Sequence, residues 1–169
     1  VNNLIDNVLG MVEKQYRKEK IEVVRMLDPN IPDVMMDARQ MEQVVINITN
    51  NAVFAMKESV GNTEHAGVLR KGELTVGSRF HAYKECVEIF IKDTGVGISK
   101  NVLRKIFDPF FTTRKDGKGT GLGLSISYGI VKMHDGSIEV DSEIGKGTTF
   151  RIFLPLKEKK EQEMCVIKL

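Results

Sequence analysis

Glycine-bearing turns cluster in one stretch of the chain, from Asp93 to Gly123. The stretch opens with residues 93–97, DTGVG, and closes with residues 119–123, GTGLG, which run directly into an apolar pattern of helical spacing. A glycine-rich turn that leads into a helix presents unpaired backbone N–H groups and the positive end of the helix dipole, and both attract phosphate. Glycine also permits positive φ and lets a ligand approach the main chain. The stretch therefore predicts a nucleotide-phosphate site with a mobile lid.

Two asparagines four residues apart, Asn47 and Asn51, share one face of a predicted helix. Amides on an otherwise apolar stripe need hydrogen-bond partners, so one interpretation is a pair of satisfied amides at the helix edge. The other is an oxygen ligand for Mg²⁺ beside phosphate, because Mg²⁺ prefers oxygen donors and keeps several waters. Both interpretations stay open at this point.

Asp93 ends a run of β-forming residues and precedes a glycine turn. A carboxylate in this place could accept a hydrogen bond from a donor such as an exocyclic amine. The alternative is an Asx-type turn before Gly95. Three cations, Arg114, Lys115 and Lys118, lie further along in the lid stretch. They could hold terminal phosphates, or they could serve only the solubility of the loop.

Three phenylalanines, Phe107, Phe110 and Phe111, flank Pro109. Aromatic residues clustered in this way are more often a packing anchor than part of a cofactor site. Such an anchor would also give the lid a fixed hinge.

Composition and missing motifs exclude several other classes of protein. The formal charge of +2 argues against a dedicated nucleic-acid binder. Cys86 and Cys165 form no C-x-x-C pair, so neither a zinc site nor a disulfide framework is indicated. His65, His81 and His134 show no metal-ligand spacing and are interpreted as structural. No P-loop, G-x-S-x-G motif, bilayer-spanning apolar run or signal peptide is evident, so we expect a cytoplasmic protein.

The hydrophobic pattern predicts helices and strands in mixed order. Helices are predicted at about 1–18, 38–57 and 122–134, with Asp37 capping the second and a further turn or two at 102–107. Strands are predicted at 21–26, and as two hairpins at 73–80 with 87–92 and at 137–141 with 148–154, whereas 58–71 reads as a loop. This order favours an α+β sandwich with helices on one face of the sheet over a doubly wound parallel sheet. No internal boundary divides residues 1–156, and 157–169 reads as a charged tail with a short apolar end.

These motifs, in this order, resemble the catalytic ATP-binding domain of bacterial sensor histidine kinases, within the gyrase, Hsp90, histidine kinase and MutL superfamily. The N box is matched by residues 43–56, the first glycine box by 93–97 and the F box by 107–111. The second glycine box is matched by 117–123 and the last by 145–148. Kinases of the nitrogen-regulation and sporulation type are the most similar. The resemblance implies a Bergerat-type, two-layer α/β sandwich, with a mixed, mostly antiparallel sheet covered on one face by three helices.

The resemblance implies roles for particular residues within the matched boxes. Asp93 would bind the adenine amino group, Gly97 would let the ring approach, and Thr148 would support the pocket through water. Asn51 would be the Mg²⁺ ligand and Asn47 would assist near the phosphates. The remaining implied nucleotide-binding residues are Gly95, Ile98, Phe111, Lys118, Gly119, Thr120, Gly121, Leu122, Gly123 and Leu124.

Within that set, the backbone N–H groups from Gly119 through Leu122 would cradle the phosphates. Leu122 and Leu124 would help to fix the lid to the core. Arg114 or Lys115 would reach the phosphates from the lid.

The chain departs from the superfamily pattern at two positions. Its ATPases place a glutamate one helical turn before the magnesium asparagine, as general base for water, and here Asn47 stands there. An amide cannot take a proton, so we expect ATP to be protected from hydrolysis and presented to another nucleophile. Many histidine kinases also carry a basic residue one turn after that asparagine, whereas here Phe54 is present and Lys57 comes later.

No histidine of this chain has the setting of a phosphoacceptor, so the acceptor and dimerisation helices are expected outside it. The implied reaction is transfer of the γ-phosphoryl of Mg-ATP to a histidine on those helices, mainly by positioning and charge neutralisation. The implied partners are these helices and a response regulator. We expect a monomer when the domain is isolated, with no contact to nucleic acid or membrane.

Three rival hypotheses remain at this stage. The first is an ATP-hydrolysing machine of the gyrase or Hsp90 kind, against which Asn47 and the lack of a following transducer domain count. The second is a nucleotide-sensing or docking module without transfer chemistry. The third is a serine kinase of the same superfamily, which the acid stability of the phosphorylated product would distinguish.

Overall fold

The computed structural model describes residues 1–63, 71–114 and 119–156. Within these ranges the chain forms four α-helices and five β-strands. The helices are α1 (Asn2–Lys18), α2 (Ala38–Thr63), α3 (Lys100–Leu103) and α4 (Gly123–Met133). The strands are β1 (Ile21–Leu27), β2 (Gly72–His81), β3 (Cys86–Asp93), β4 (Ser137–Glu143) and β5 (Gly147–Pro155).

The strands form one mixed sheet in the order β1-β2-β3-β5-β4. Only β1 and β2 are parallel, because α2 connects them; the other neighbouring pairs are antiparallel. The predicted hairpins are β2–β3, joined by a 3₁₀ turn at Ala82–Lys84, and β4–β5. The expectation of a mixed, mostly antiparallel sheet is confirmed.

The helices bury their apolar stripes against one face of this sheet. On α1 and α2 the buried positions recur at helical spacing, and on the central strands every second side chain points to the same core, as the two periodicities require. Burial of this apolar surface is the main force holding the layers together. The core includes Leu4, Ile5, Val8, Leu9, Met41, Val44, Val45, Ile48, Leu74, Val76, Ile89, Ile91, Ile152 and Leu154.

The opposite face of the sheet carries a charge cluster centred on Glu88, which is only 2% exposed. Its carboxylate lies 2.7 Å from His81 Nε2, 3.4 Å from Arg79 Nη1 and 3.5 Å from Arg151 Nε. A buried carboxylate is tolerated when it is paired in this way. The structural role expected for His81 is confirmed.

His134 also has a structural role. Its Nδ1 lies 2.8 Å from the Ile130 carbonyl oxygen, and its Nε2 accepts the Asp37 backbone N–H at 2.9 Å, which links the end of α4 to the start of α2. Asp37 itself accepts the Gln40 N–H through Oδ1 at 3.1 Å, so the predicted cap of α2 is confirmed. His65 lies outside the described residues.

The boundaries differ from prediction mainly after α2. The predicted loop at 58–71 is wrong up to Thr63, because α2 continues to that residue. A glycine in a helix costs only about 1 kcal/mol relative to alanine, so the glycine in this stretch does not force an end. Residues 64–70 and the predicted tail at 157–169 lie outside the described residues. In the ranges that are described, no helix combines the length and apolar character needed to cross a membrane.

Candidate nucleotide-binding site

A cavity of about 320 Å³ opens between α2, the turn after β3, the segment before residue 115 and the start of α4. Most of the predicted site residues line it. They are Asn47, Asn51, Asp93, Gly97, Ile98, Phe111, Arg114, Gly119, Thr120, Gly121, Gly123, Leu124 and Thr148. Gly95 and Leu122 adjoin these residues in sequence but are not among those that line the cavity. Lys115 and Lys118 lie outside the described residues.

Asp93 forms the buried end of the cavity and is 3% exposed. Its Oδ1 accepts the backbone N–H of Gly95 at 2.8 Å and that of Thr148 at 3.2 Å. The first of these is the Asx-type turn considered above. Because the hydrogen bonds found among the described residues all end on Oδ1, the second oxygen is the one that could accept from a ligand.

Burial raises the pKa of Asp93 to about 6, although the N–H groups of Gly95 and Thr148 act in the opposite direction. Desolvation disfavours the charged carboxylate and therefore dominates. At neutral pH the group is mainly ionised and remains a strong acceptor. A buried acceptor with a perturbed pKa inside a cavity is typical of a binding site.

Ser142, on β4, fixes the wall beside Asp93 and was not predicted from the sequence. Its Oγ accepts the Ile98 backbone N–H at 2.7 Å and lies 2.9 Å from Thr148 Oγ1. It also donates to the Gly147 carbonyl oxygen at 3.0 Å. One hydroxyl thus ties the turn after β3 to the start of β5. A lone serine in a strand gives no sequence signal for such a role.

Gly97 is held in the left-handed region, with φ of +71°. A Cβ there would lie 2.1 Å from the Glu143 carbonyl oxygen, so the close packing of backbone on β4 requires glycine in addition to any need of a ligand. Neighbouring Val96 donates its N–H to the Ala55 carbonyl oxygen of α2 at 3.2 Å, and its own carbonyl accepts from Gly145 at 2.8 Å. The glycine turn is therefore fixed from both sides.

Asn47 connects the two helices that face each other across the cavity. Its Nδ2 donates to the Gly123 carbonyl oxygen at 3.2 Å and to Ser127 Oγ at 3.3 Å. Ser127 is fully buried on α4 and donates to the same Gly123 oxygen at 2.8 Å. The satisfied-amide interpretation thus holds for Nδ2, and Oδ1 is the atom left to serve a ligand.

Asn51 lies one turn further along α2 and contacts the lid segment. Its Oδ1 accepts from Arg114 Nη2 at 3.2 Å. The Arg114 guanidinium also lies over the Phe54 ring, 4.0 Å from the ring centroid. Phe54 lines the cavity as well, although the sequence marked it only as a departure from pattern.

The segment before α4 contacts the F-box segment through two residues that both have positive φ. Gly121 has φ of +68°, and a Cβ there would lie 2.4 Å from the Phe110 carbonyl carbon. Phe110 also has positive φ, at +65°, and donates its N–H to the Gly121 carbonyl oxygen at 3.0 Å. Among the residues that the structure describes, no side chain caps the first turn of α4, so its N–H groups are available to an anion.

The aromatic cluster is only partly the predicted anchor. Phe107 packs against the core and lies 5.2 Å from the Tyr128 ring, as expected of an anchor. The prediction of an anchor is wrong for Phe110, because its side chain is 74% exposed; its backbone is in the left-handed region. Phe111 lines the cavity.

Further residues that line the cavity were not predicted as site residues. The helical or strand pattern assigned some of them to the core, and the others belong to no motif. Asn50 is one of them, and its Oδ1 accepts from the buried Tyr16 hydroxyl at 3.1 Å. The others are Ala52, Ala55, Glu58, Val96, Val102, Ile106, Thr112, Thr113 and Phe150.

Residues 36–158 match the family described as histidine kinase-, DNA gyrase B-, and HSP90-like ATPases. The chain belongs to this ATPase family. The family therefore covers the whole cavity and all strands but β1. An ATPase domain of this kind binds ATP.

Curated relatives within the family are sensor kinases. The chain is 45% identical over 140 residues to the sensor kinase CckA of Brucella abortus (strain 2308), covering 79% of this chain and 14% of the relative. It is 31% identical to sporulation kinase E of Bacillus subtilis (strain 168), covering 96% of this chain and 20% of the relative. The chain thus spans a fifth or less of the length of these two relatives.

Solved structures of histidine kinases have a fold similar to that of this chain. The catalytic domain of the histidine kinase ThkA superimposes with a TM-score of 0.76 at 29% identity, covering 92% of both chains. ThkA in complex with the response regulator protein TrrA matches with a TM-score of 0.71 at 28% identity, covering 93% of this chain and 40% of that one. The expected α+β sandwich of a histidine-kinase ATPase domain is confirmed.

Proposed function

We propose that residues 1–156 form the catalytic domain of a two-component sensor histidine kinase, which transfers the γ-phosphoryl of Mg-ATP to a histidine on helices outside this chain. One observation carries the proposal: the cavity is lined by a buried acceptor, Asp93, whose turn is bonded to Ala55 of α2, and by the start of α4, which is bonded to Asn47 about two helical turns earlier on α2. Adenine and phosphate are the two ends of ATP, and each end of the cavity has the chemistry that one of them needs.

At the adenine end, Asp93 Oδ2 accepts from the exocyclic amine while Oδ1 stays bound to Gly95 and Thr148. The carboxylate cannot rotate without breaking two backbone hydrogen bonds, so its direction is set before the ligand arrives. Apolar residues such as Ala52, Ile98 and Ile106 line the cavity beside it and suit an aromatic ring. Thr148 supports the ring through water.

At the phosphate end, the backbone N–H groups around Gly121 and the start of α4 hold the phosphate oxygens. Asn51 Oδ1 fits a Mg²⁺ ligand, because Mg²⁺ takes one or two protein oxygens and completes its shell with phosphate and water. Within the described ranges no group of three or more His, Cys, Asp or Glu residues could hold a metal, so a dedicated protein cage is not the expected arrangement. Bound there, Mg²⁺ would neutralise phosphate charge.

Asn47 decides which nucleophile receives the phosphoryl group. Its Nδ2 is bound to Gly123 and Ser127, so the side chain is fixed in the cavity wall. An amide cannot remove a proton from water, so the site positions ATP without activating hydrolysis. The γ-phosphoryl is kept for a histidine that approaches from outside. This favours a kinase over the ATP-hydrolysing machines of the same family.

An exposed apolar surface beside the lid suits the phosphoacceptor helices. Phe110 is 74% exposed, and on α4 Met133 is 69% and Ile126 is 41% exposed. Ile126 and Met133 are seven residues apart, so they share one face of α4. We propose that this face receives the acceptor helices of the parent kinase, as a helix packs against helices. A response regulator is the proposed second partner, since the similar kinase ThkA is found in complex with one.

The parent kinase uses cytoplasmic ATP, so we propose that this domain acts in the cytoplasm and is monomeric when isolated. Calorimetric titration with ATP and ADP, with and without Mg²⁺, tests the pocket directly. Saturable binding that Asp93→Ala abolishes is the expected result. Absence of binding to the unmutated chain would refute the proposal and favour a docking module.

The transfer step needs a second experiment. The domain, γ-labelled ATP and the phosphoacceptor helices of the parent protein are mixed, and the labelled product is treated with acid. A phosphohistidine is lost in acid, whereas a phosphoserine survives. Acid-stable label would point to a serine kinase instead, and release of free phosphate alone would point to a hydrolase.

A further inference from the structure

The Arg114 guanidinium has two partners on α2, and both lie at the phosphate end of the cavity. Arg114 Nη2 donates to Asn51 Oδ1 at 3.2 Å, and the guanidinium carbon lies 4.0 Å from the centroid of the Phe54 ring. Asn51 and Phe54 are three residues apart, so they are neighbours on one face of the helix. Together they form a seat that fits one planar cation.

The wall supplies no other positive charge from the described part of the chain. Arg114 is the one Lys or Arg among the described residues that line the cavity. Lys57, the next basic residue of α2, forms an ion pair with Glu19 at the end of α1. The position at which many related kinases carry a basic residue is therefore filled by an aromatic ring that holds a cation from another segment.

Resting on the proposed function, we propose that Arg114, seated between Asn51 and Phe54, must release Asn51 Oδ1 by turning on the Phe54 ring before that oxygen can ligate Mg²⁺. Phe54 is then a positioning residue, which keeps the guanidinium near the phosphates without touching them. The pair Phe54 and Arg114 sets how strongly nucleotide binding depends on Mg²⁺.

The competition follows from distance and charge. Mg²⁺ binds oxygen at about 2.0–2.1 Å, so a guanidinium on the same amide oxygen would lie within about 5 Å of the metal and repel it. Once released from Asn51, Arg114 finds a better partner in the phosphate oxygens, which accept two parallel N–H bonds. The ring of Phe54 allows this rotation, because a cation–π contact fixes distance to the ring but not one hydrogen-bond direction.

The test is a ratio of two dissociation constants for ADP measured by calorimetry. The constant in EDTA is divided by the constant in saturating Mg²⁺, so a higher ratio means that binding depends more strongly on Mg²⁺. Phe54→Leu removes the seat and keeps the charge, so Mg²⁺ meets less competition and the ratio rises by about two- to fivefold. Arg114→Ala removes the competitor and a phosphate partner, so affinity in EDTA falls and the ratio rises by about tenfold. In the double variant, Phe54→Leu adds nothing further.

Two further variants and one double-mutant cycle make this result specific. Arg39→Ala removes the same charge from the start of α2, about 18 Å along the helix from Asn51, and should leave the ratio unchanged. Arg114→Lys keeps the charge but loses the planar fork, and should behave like Phe54→Leu. A double-mutant cycle of thermal unfolding without nucleotide reports the Phe54–Arg114 contact independently of Mg²⁺.

The outcomes separate the inference from the proposed function. If the unmutated chain binds no nucleotide, both are overturned. If the unmutated chain binds nucleotide but Phe54→Leu leaves the ratio unchanged, the role of Phe54 in holding Arg114 is refuted and the proposed function stands. The same holds if Phe54→Leu changes the ratio equally in the presence of Arg114 and in the Arg114→Ala background. If Arg114→Ala weakens binding equally in EDTA and in Mg²⁺, Arg114 is a phosphate ligand that does not compete for Asn51, and the inference is likewise refuted.

Discussion

The Thr148 backbone N–H donates a 3.2 Å hydrogen bond to Asp93 Oδ1, which joins the end of β3 to the start of β5. The same oxygen accepts from Gly95, so two backbone donors hold one carboxylate that is 3% exposed. Burial nevertheless raises its pKa to about 6. The site therefore retains a charge that destabilises the fold, as binding sites often do.

Replacing Asp93 by asparagine should stabilise the domain at neutral pH and abolish nucleotide binding. The pKa of Asp93 is about 6 in the folded chain against an ordinary value of 3.8. Between these values the folded chain binds more protons than the unfolded chain, so the free energy of unfolding falls as pH rises through this window. The full cost, up to about 3 kcal/mol, is present above pH 6.

Urea unfolding from pH 4 to pH 8 checks this prediction. The stability of Asp93→Asn relative to the unmutated chain should increase with pH and level off above about pH 6. Asp33→Asn, a change of the same charge in an exposed loop, serves as control. Parallel pH curves for Asp93→Asn and the unmutated chain would show that the carboxylate is not destabilised.

In the Asp93→Asn variant, nucleotide binding is lost because the asparagine amide would present a donor to the adenine amine.

Ser142→Ala should weaken ADP binding without removing any predicted ligand contact. Its hydroxyl accepts the Ile98 N–H at 2.7 Å and lies 2.9 Å from Thr148 Oγ1. Loss of these bonds leaves a backbone donor unpaired, so stability should fall by about 1–2 kcal/mol and affinity by about fivefold. Calorimetry and urea unfolding measure both effects. Ser137→Ala on the same strand should leave ADP affinity unchanged; an equal loss there would assign the effect to β4 as a whole.

Gly121→Ala should damage both the fold and the phosphate site. The backbone has φ of +68°, and the added methyl would lie 2.4 Å from the Phe110 carbonyl carbon. Strain and collision together should cost at least about 2 kcal/mol, and ATP affinity should fall because the start of α4 shifts.

Gly129→Ala is the matched control on α4 for the Gly121 variant, because nothing lies within 4 Å of its added Cβ. It should stabilise the isolated domain by about 0.5–1 kcal/mol through helix propensity. Thermal unfolding distinguishes the two variants. Equal stability of the two would contradict the tight approach of Gly121 to Phe110.

Tyr16→Phe should lower stability and leave nucleotide affinity nearly unchanged. The Tyr16 hydroxyl is buried and donates to Asn50 Oδ1 at 3.1 Å, and it lies 3.3 Å from Thr49 Oγ1. We expect a loss of about 1 kcal/mol in urea unfolding, because α1 and α2 lose a polar link. Tyr83→Phe, at a fully exposed position, should have no effect. A large loss of ADP affinity in Tyr16→Phe would instead make α1 part of the site.

The amino-acid sequence alone determined which elements form and where the chemistry-bearing residues stand along the chain. Helical and strand periodicity are local properties, so the elements of the core were predicted to within a few residues. The glycine turns and the spacing of Asn47 and Asn51 are likewise local. They were sufficient to predict a phosphate site and, by resemblance, the ATPase family.

Tertiary structure alone decided which partners these residues have. The parallel pairing of β1 with β2, the hydrogen bonds of Ser142 and the seat of Arg114 on Phe54 all join segments that are distant in sequence. The backbone of Phe110 has a positive φ where it packs closely against Gly121, and its side chain points outward. Local propensity is set by a residue and its near neighbours, whereas a contact between distant residues depends on the packing of the whole core.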